Sequence, residues 1–226
     1  MRIPRPLIAA GAALAVAAPF AAAAVVNGGD AADLLRGTRA PDTVTARAGD
    51  DTVLAFLGAD AVLGGPGDDL LMGGRGDDDL LGGEGADVLI GGPGRDEVLG
   101  QAGDDVLLGG FRADVLSGGS GDDRLLGAQG FDTLYAGAGE DVLLGGRGND
   151  VLFARFVDGQ RDVLSCGPGF DRAVARPEDS VDASCERVRR LPATAVTTDP
   201  GDEDTPPAAA TRGDDRVAQA DDPDAE

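Results

Sequence analysis

The 226-residue chain contains no histidine and no tryptophan, a single tyrosine and only two cysteines. Without histidine it cannot build a Ser-His-Asp triad, a Cys-His dyad or a His-containing zinc site. Cationic residues are scarce: 19 Lys and Arg stand against 41 Asp and Glu, for a net charge of −22. So acidic a chain is not expected to bind nucleic acid. Few aromatics and strong self-repulsion together predict a largely unfolded chain in the absence of counter-ions. Long apolar runs are missing beyond residue 24. Residues 1–24 have Arg2 and Arg5, an Ala-rich apolar run from Leu7 to Phe20, and small residues at Ala21 to Ala24. This is the pattern of a secretory signal peptide. The alternative, an uncleaved anchor, has a short run for a span. No integral membrane segment is expected after signal removal, and the predicted location is secreted, extracellular.

Glycine, by contrast, is abundant, and it is periodic. From Gly64 the chain reads GGPGDDLLM GGRGDDDLL GGEGADVLI GGPGRD, a nine-residue unit Gly-Gly-x-Gly-x-Asp-x-aliphatic-x. The register extends to fourteen units between Gly28 and Phe153, with Asp sixth and Leu or Val eighth in each. A short fixed period predicts a solenoid, in which each unit buries its apolar residue only against its neighbours. Three residues such as Leu70-Leu71-Met72 suffice for a short strand whose central residue points inward. The Gly-rich hexad before it is then a turn. A turn with inward carbonyls and a terminal Asp offers hard oxygen ligands, and these suit calcium. Gly and Asp are also ordinary turn residues. A solenoid does not need an acid at one fixed place in every turn, however, and stacked carboxylates repel unless a cation lies between them.

The array resembles the haemolysin-type calcium-binding repeats of the repeats-in-toxin (RTX) family. The resemblance implies an all-β parallel β-roll, a β-helix solenoid of nonapeptide repeats in which two units make one coil. It implies Ca2+ ions between turns two units apart, held by the sixth-position Asp and by carbonyls of the first, third and fifth positions. The predicted metal set is therefore Asp69, Asp78, Asp87, Asp96, Asp105, Asp123, Asp132, Asp141 and Asp150, with carbonyls of Gly64, Gly73, Gly82, Gly91, Gly100 and Gly118. The best-matched pairs are turns 64–69 with 82–87 and 73–78 with 91–96. Turn 109–114, GGFRAD, departs from the pattern: Arg112 replaces the fourth-position glycine, adding bulk and positive charge, so Asp114 stays outside the set. Turns 28–33 and 37–42 carry Ala31 and Ala40 there and are weaker candidates.

Residues 25–63 keep the Asp and the aliphatic but lose much of the glycine framework, so they read as degenerate N-terminal repeats or a cap, ahead of calcium-binding repeats at 64–153. After Phe153 three extra residues shift the register, and units resume with Asp162 and Asp171 sixth. Residues 154–190 read as a C-terminal cap, resembling an end piece of secreted repeat proteins. In an exported chain the isolated pair Cys166 and Cys185 reads as a disulfide. Phe153, Phe156 and Phe170 are expected to plug the open end. Residues 191–226 read as a disordered acidic tail.

With position eight inward, positions seven and nine face out. Alternate units then give one nearly continuous apolar sheet face, including Leu70/Met72, Val88/Ile90 and Val106/Leu108, a surface for self-association or an extracellular partner. The functional expectation is a secreted, non-catalytic calcium-binding β-roll that folds on calcium. It would serve a structural, adhesive or interaction role. The alternative is an accessory repeat region of a secreted toxin or hydrolase, for which little room is seen between Ala24 and the first repeat. An ice-binding array ranks lower, because the outward rows are aliphatic and not threonine.

Overall fold

A computed structural model describes residues 14–16, 22–154 and 159–192. Among these residues there is no helix, and hence none long and apolar enough to cross a membrane. The described residues wind as a parallel β-solenoid whose strands fall alternately in two sheets of ten strands each. Units two apart stack at a separation of 18 residues: Leu70 pairs with Val88, Val88 with Val106 and Val106 with Arg124 in the first sheet. Asp79, Glu97, Val115 and Thr133 align likewise in the second. The three-residue insertion is absorbed in one step, because Val142 pairs with Val163 and Val151 with Arg172, both 21 apart. Leu14–Val16, inside the segment read as a leader, pairs with Leu34–Arg36.

The core is one residue thick. Leu71, Leu89, Leu107, Leu125 and Leu143 project from the first sheet toward Leu80, Val98, Leu116, Leu134 and Leu152 of the second, and all are at most 1% exposed. Each fully buried aliphatic contributes about 1.5–3 kcal/mol, and no unit can collect it without its neighbours. Small first-position residues such as Ala46, Ala55 and Ala136 fill the core corners.

The strands are longer than the sequence suggests. From Thr52 onward most span six or seven residues, for example Leu70–Arg75, so they run through the first three positions of the next unit. The reason lies in the turn. The second-position amide region still pairs across coils, as Gly74 does with Phe56 and Arg75 with Leu57. The tight bend is confined to positions four to six. At Gly76 φ is +138°, and a Cβ there would overlap the carbonyl of Gly58 in the preceding coil, so only glycine closes that bend without displacing backbone.

The C-terminal end differs from the expected aromatic plug. Phe153 stacks on Tyr135 with ring centroids 5.0 Å apart, while Phe170 stands 84% exposed on its turn. Phe156 lies outside the described residues. Cys166 and Cys185 form a disulfide across a sequence separation of 19, which in the chain-entropy model contributes roughly 3 kcal/mol. The fully buried Arg176 donates from Nη1 to the Pro192 carbonyl at 3.0 Å, and its own N–H donates to Asp179 Oδ2 at 2.5 Å. The last coil is thus closed by a covalent tie and a buried guanidinium.

Candidate metal centre

The sixth-position aspartates form two columns, one along each edge of the roll. Each N–H donates to the Oδ1 of the aspartate one coil further on: Asp51 to Asp69, Asp69 to Asp87 and Asp87 to Asp105, all at 2.8 Å. On the other edge Asp78 donates to Asp96, and Asp96 to Asp114, at 2.9 Å. The columns cross the insertion intact, since Asp141 donates to Asp162 at 3.0 Å and Asp150 to Asp171 at 2.7 Å. One carboxylate oxygen thus braces the stack and satisfies a buried amide.

The second oxygen is the telling one. Oδ2 of Asp51, Asp60, Asp69, Asp78, Asp87, Asp96, Asp105, Asp114, Asp123, Asp132, Asp150 and Asp171 is buried and meets no hydrogen-bond donor. A buried anionic oxygen without a partner is costly and calls for a proton or a cation. The surroundings fit a cation. A Cβ built on Gly64 would collide with Asp69 Oδ2 and lie 2.6 Å from the carbonyl oxygen of Gly82, and Gly82 stands in the same relation to Asp87 and to the Gly100 carbonyl. Gly100 and Gly118 repeat it with Asp105 and Asp123. A carboxylate oxygen and a backbone carbonyl therefore converge beside each of these first-position glycines. Beside Gly73 and Gly91 the nearest atoms are those of the Asp78 and Asp96 side chains. Among the described residues no cluster of three or more His, Cys, Asp or Glu side chains is present. A site here must draw its remaining ligands from carbonyls, as hard, oxygen-seeking calcium permits.

Burial dominates the electrostatics. It pushes the carboxyls of Asp78, Asp87, Asp105, Asp132 and Asp150 up to about 6. Those of Asp60, Asp69 and Asp96 rise to about 7, and those of Asp114 and Asp123 to about 8. The bond from the backbone N–H opposes the shift, and neighbouring carboxylates add to it.

All nine aspartates proposed from sequence lie in these columns and are buried. The columns also include Asp51, Asp60, Asp114 and Asp171, which were not in that set. Asp114 is instructive: Arg112 takes a left-handed φ of 81°, short of the +138° of Gly76 at the same turn position, and is exposed, so its charge does not occupy the buried corner. The regular Asp-x-aliphatic spacing alone would have included the first three; Asp171, followed by Ala173 beyond the three-residue insertion, falls outside it.

Stacked Gly-Asp turns around a one-residue core, with buried carboxylate oxygens facing carbonyls, define a cation-binding β-roll. The family comparison agrees: the model of the RTX calcium-binding nonapeptide repeat matches residues 27–62, 54–89, 63–98, 81–116, 99–134 and 117–152. The chain belongs to that family. No curated protein matches it.

Proposed function

We propose that the chain is a secreted, non-catalytic β-roll that binds several Ca2+ ions, folds as it binds them outside the cell, and serves a structural, adhesive or interaction role. The observation that carries the reading is the set of buried Oδ2 atoms that meet no donor. Calcium would sit against the column aspartates, including Asp69, Asp87, Asp105 and Asp123, and against carbonyls such as those of Gly82, Gly100 and Gly118. Extracellular calcium is plentiful enough to fill weak sites of this kind. Each site at ~10 times its dissociation constant adds about 1.4 kcal/mol, so several sites reach the scale of a domain's stability. Far-UV circular dichroism during a calcium titration, with magnesium as control, tests it. A cooperative rise in β signal with calcium alone is expected. Full β signal in chelator at neutral pH would make the aspartates turn residues first.

The interaction role falls to the outer face of the first sheet. Leu54, Met72, Ile90, Leu108, Leu126 and Leu144 align in one column, and Leu70, Val88, Val106 and Val142 in the next, interrupted by Arg124. Val106 is 43% exposed and Leu144 39%. An exposed apolar strip of this length marks a covered surface. Changing Met72, Ile90 and Leu108 to Thr is expected to remove the self-association that persists at high salt in a sedimentation experiment. A monomer both before and after would reject the self-association form.

A further inference from the structure

The two edges of the roll carry opposite chemistry. Successive turns alternate between edges, so residues scattered in the sequence gather on one side. On one edge Arg95, Phe111, Arg112, Phe131 and Arg147 line an open groove of ≈ 870 Å³ across neighbouring turns. The three guanidinium residues are exposed, and Phe111 and Phe131 are 53% and 66% exposed. The acid on this edge, Asp77, lies one coil before Arg95, outside the groove, and its Oδ1 accepts the Arg95 N–H at 3.0 Å. On the opposite edge the outward turn positions hold Asp50, Asp68, Glu84, Asp104, Asp122 and Glu140, interleaved with small residues such as Ala102, Ser120 and Ala138. All six acids are exposed. The carboxylates are held in place: Asp68 Oδ1 accepts the Ala86 N–H at 2.8 Å, Asp104 Oδ1 that of Asp122 at 2.9 Å, and Asp122 Oδ1 that of Glu140 at 2.8 Å.

Arg112 is the second observation. It occupies a fourth position, which is glycine in most of these turns, and takes φ 81°, a left-handed conformation that L side chains resist. Arg47, Phe56, Gln101 and Ala128 take the same conformation at second positions, so what sets Arg112 apart is the charge it carries into the groove at a fourth, glycine position. Pitch supplies the third. Both edges repeat with the strand spacing, about 4.8 Å, so two rolls laid side by side keep cation and carboxylate rows in step along their length. The small residues of the acidic edge leave room for the two rings. The overall charge of −22 opposes association at large, so any contact has to be local and complementary.

We propose that the Arg95–Phe111–Arg112–Phe131–Arg147 groove docks the acidic edge of a second copy of this chain. The contact is heterologous: a docked pair still presents one free groove and one free acidic edge, so it builds open-ended rows and not a closed dimer. It is distinct from the apolar sheet face and goes beyond the calcium reading.

The test is sedimentation velocity of the full chain in calcium over a range of concentrations, with circular dichroism to establish that each sample is folded. A groove variant carries Arg112→Gly, which restores the repeat glycine, and Phe131→Ser. An edge variant carries Asp68→Asn, Asp104→Asn and Asp122→Asn, which keep the bracing Oδ1. With Met72→Thr, Ile90→Thr and Leu108→Thr added throughout to silence the sheet face, the chain with groove and edge intact is expected to form a concentration-dependent series, and each folded variant alone to stay monomeric. Their mixture should stop at a 1:1 dimer, since only one groove and one acidic edge remain usable. Raising salt from about 0.1 M to 1 M cuts the screening length from about 10 Å to 3 Å and should weaken the contact more than tenfold. Association through the aliphatic sheet face would not weaken with salt. A folded chain with groove and edge intact that is monomeric throughout, or variants that associate as it does, would overturn the proposal. So would such a monomeric chain that binds polyglutamate through Arg112, which would assign the groove to an external acidic polymer.

Discussion

Stripped of metal, the folded roll is expected to be more stable at pH 5 than at pH 8.5. The reason is the aspartate columns. Ten of these carboxyls are raised to between about 6 and about 8, against an ordinary value of 3.8, chiefly by burial. The unfolded chain releases those protons near 4; the folded one holds them until pH 6–8. The stability tied to them is therefore fully present below the unfolded value and is lost as pH rises through the folded values. Calcium reverses the dependence. Bound as proposed, it would take the proton's place at Oδ2, so protons would compete with it at pH 5 and no longer at pH 8.5. In chelator the β signal should be retained at pH 5 and lost toward pH 8.5, while thermal midpoints in saturating calcium should rise. A loss of only about 4 kcal/mol over the whole set would lower the midpoint by roughly 10 °C for a chain of this size. Equal β signal in chelator at the two pH values would mean that the columns bear no buried charge.

Much of this site is legible in the sequence because its period is short and rigid. An Asp sixth and an aliphatic eighth in every unit require equivalent surroundings, and the stack provides them: Leu71, Leu89 and Leu107 are buried alike, and Asp69, Asp87 and Asp105 are braced alike. The calcium chemistry follows from the ligand types without coordinates. Three things are not legible. The length of the strands depends on how far the second-position residues pair across coils, and that is a property of the stack and not of the unit. The fate of Arg112 depends on whether a left-handed bend can hold a side chain pointing outward, which a missing glycine does not reveal. The closure of the C-terminal end was expected from phenylalanine, but Phe153 finds Tyr135 one coil back because positions nine of adjacent same-sheet units face each other. The segregation of Arg and Phe to one edge and acids to the other emerges only when units are sorted by parity.

Asp123→Asn should move the metal-free and calcium-loaded forms in opposite directions. Asp123 has two separable jobs. Its Oδ1 accepts the Asp105 N–H at 2.8 Å, and its Oδ2 lies buried beside Gly118 and near the Ala136 carbonyl. Asparagine keeps the first oxygen and replaces the second by an amide donor without charge. In chelator at pH 8.5 this removes a buried anion whose carboxyl is pushed up to about 8, and the new donor faces a carbonyl that can accept it. A gain of about 1–2 kcal/mol is expected there. In calcium the same change removes a ligand charge. A tenfold weaker ion costs about 1.4 kcal/mol, so the calcium-induced rise in midpoint should shrink from both ends. Asp123→Ala separates the jobs, because it also strands the Asp105 N–H and should destabilise both forms by about 1–3 kcal/mol. Two readings of each variant decide between the roles: the pH at which the β signal is lost in chelator, and the thermal midpoint in calcium. If Asp123 were only a turn brace, asparagine would match wild type in calcium and alanine alone would be harmful. A ligand must instead show the asparagine variant gaining in chelator what it loses in calcium.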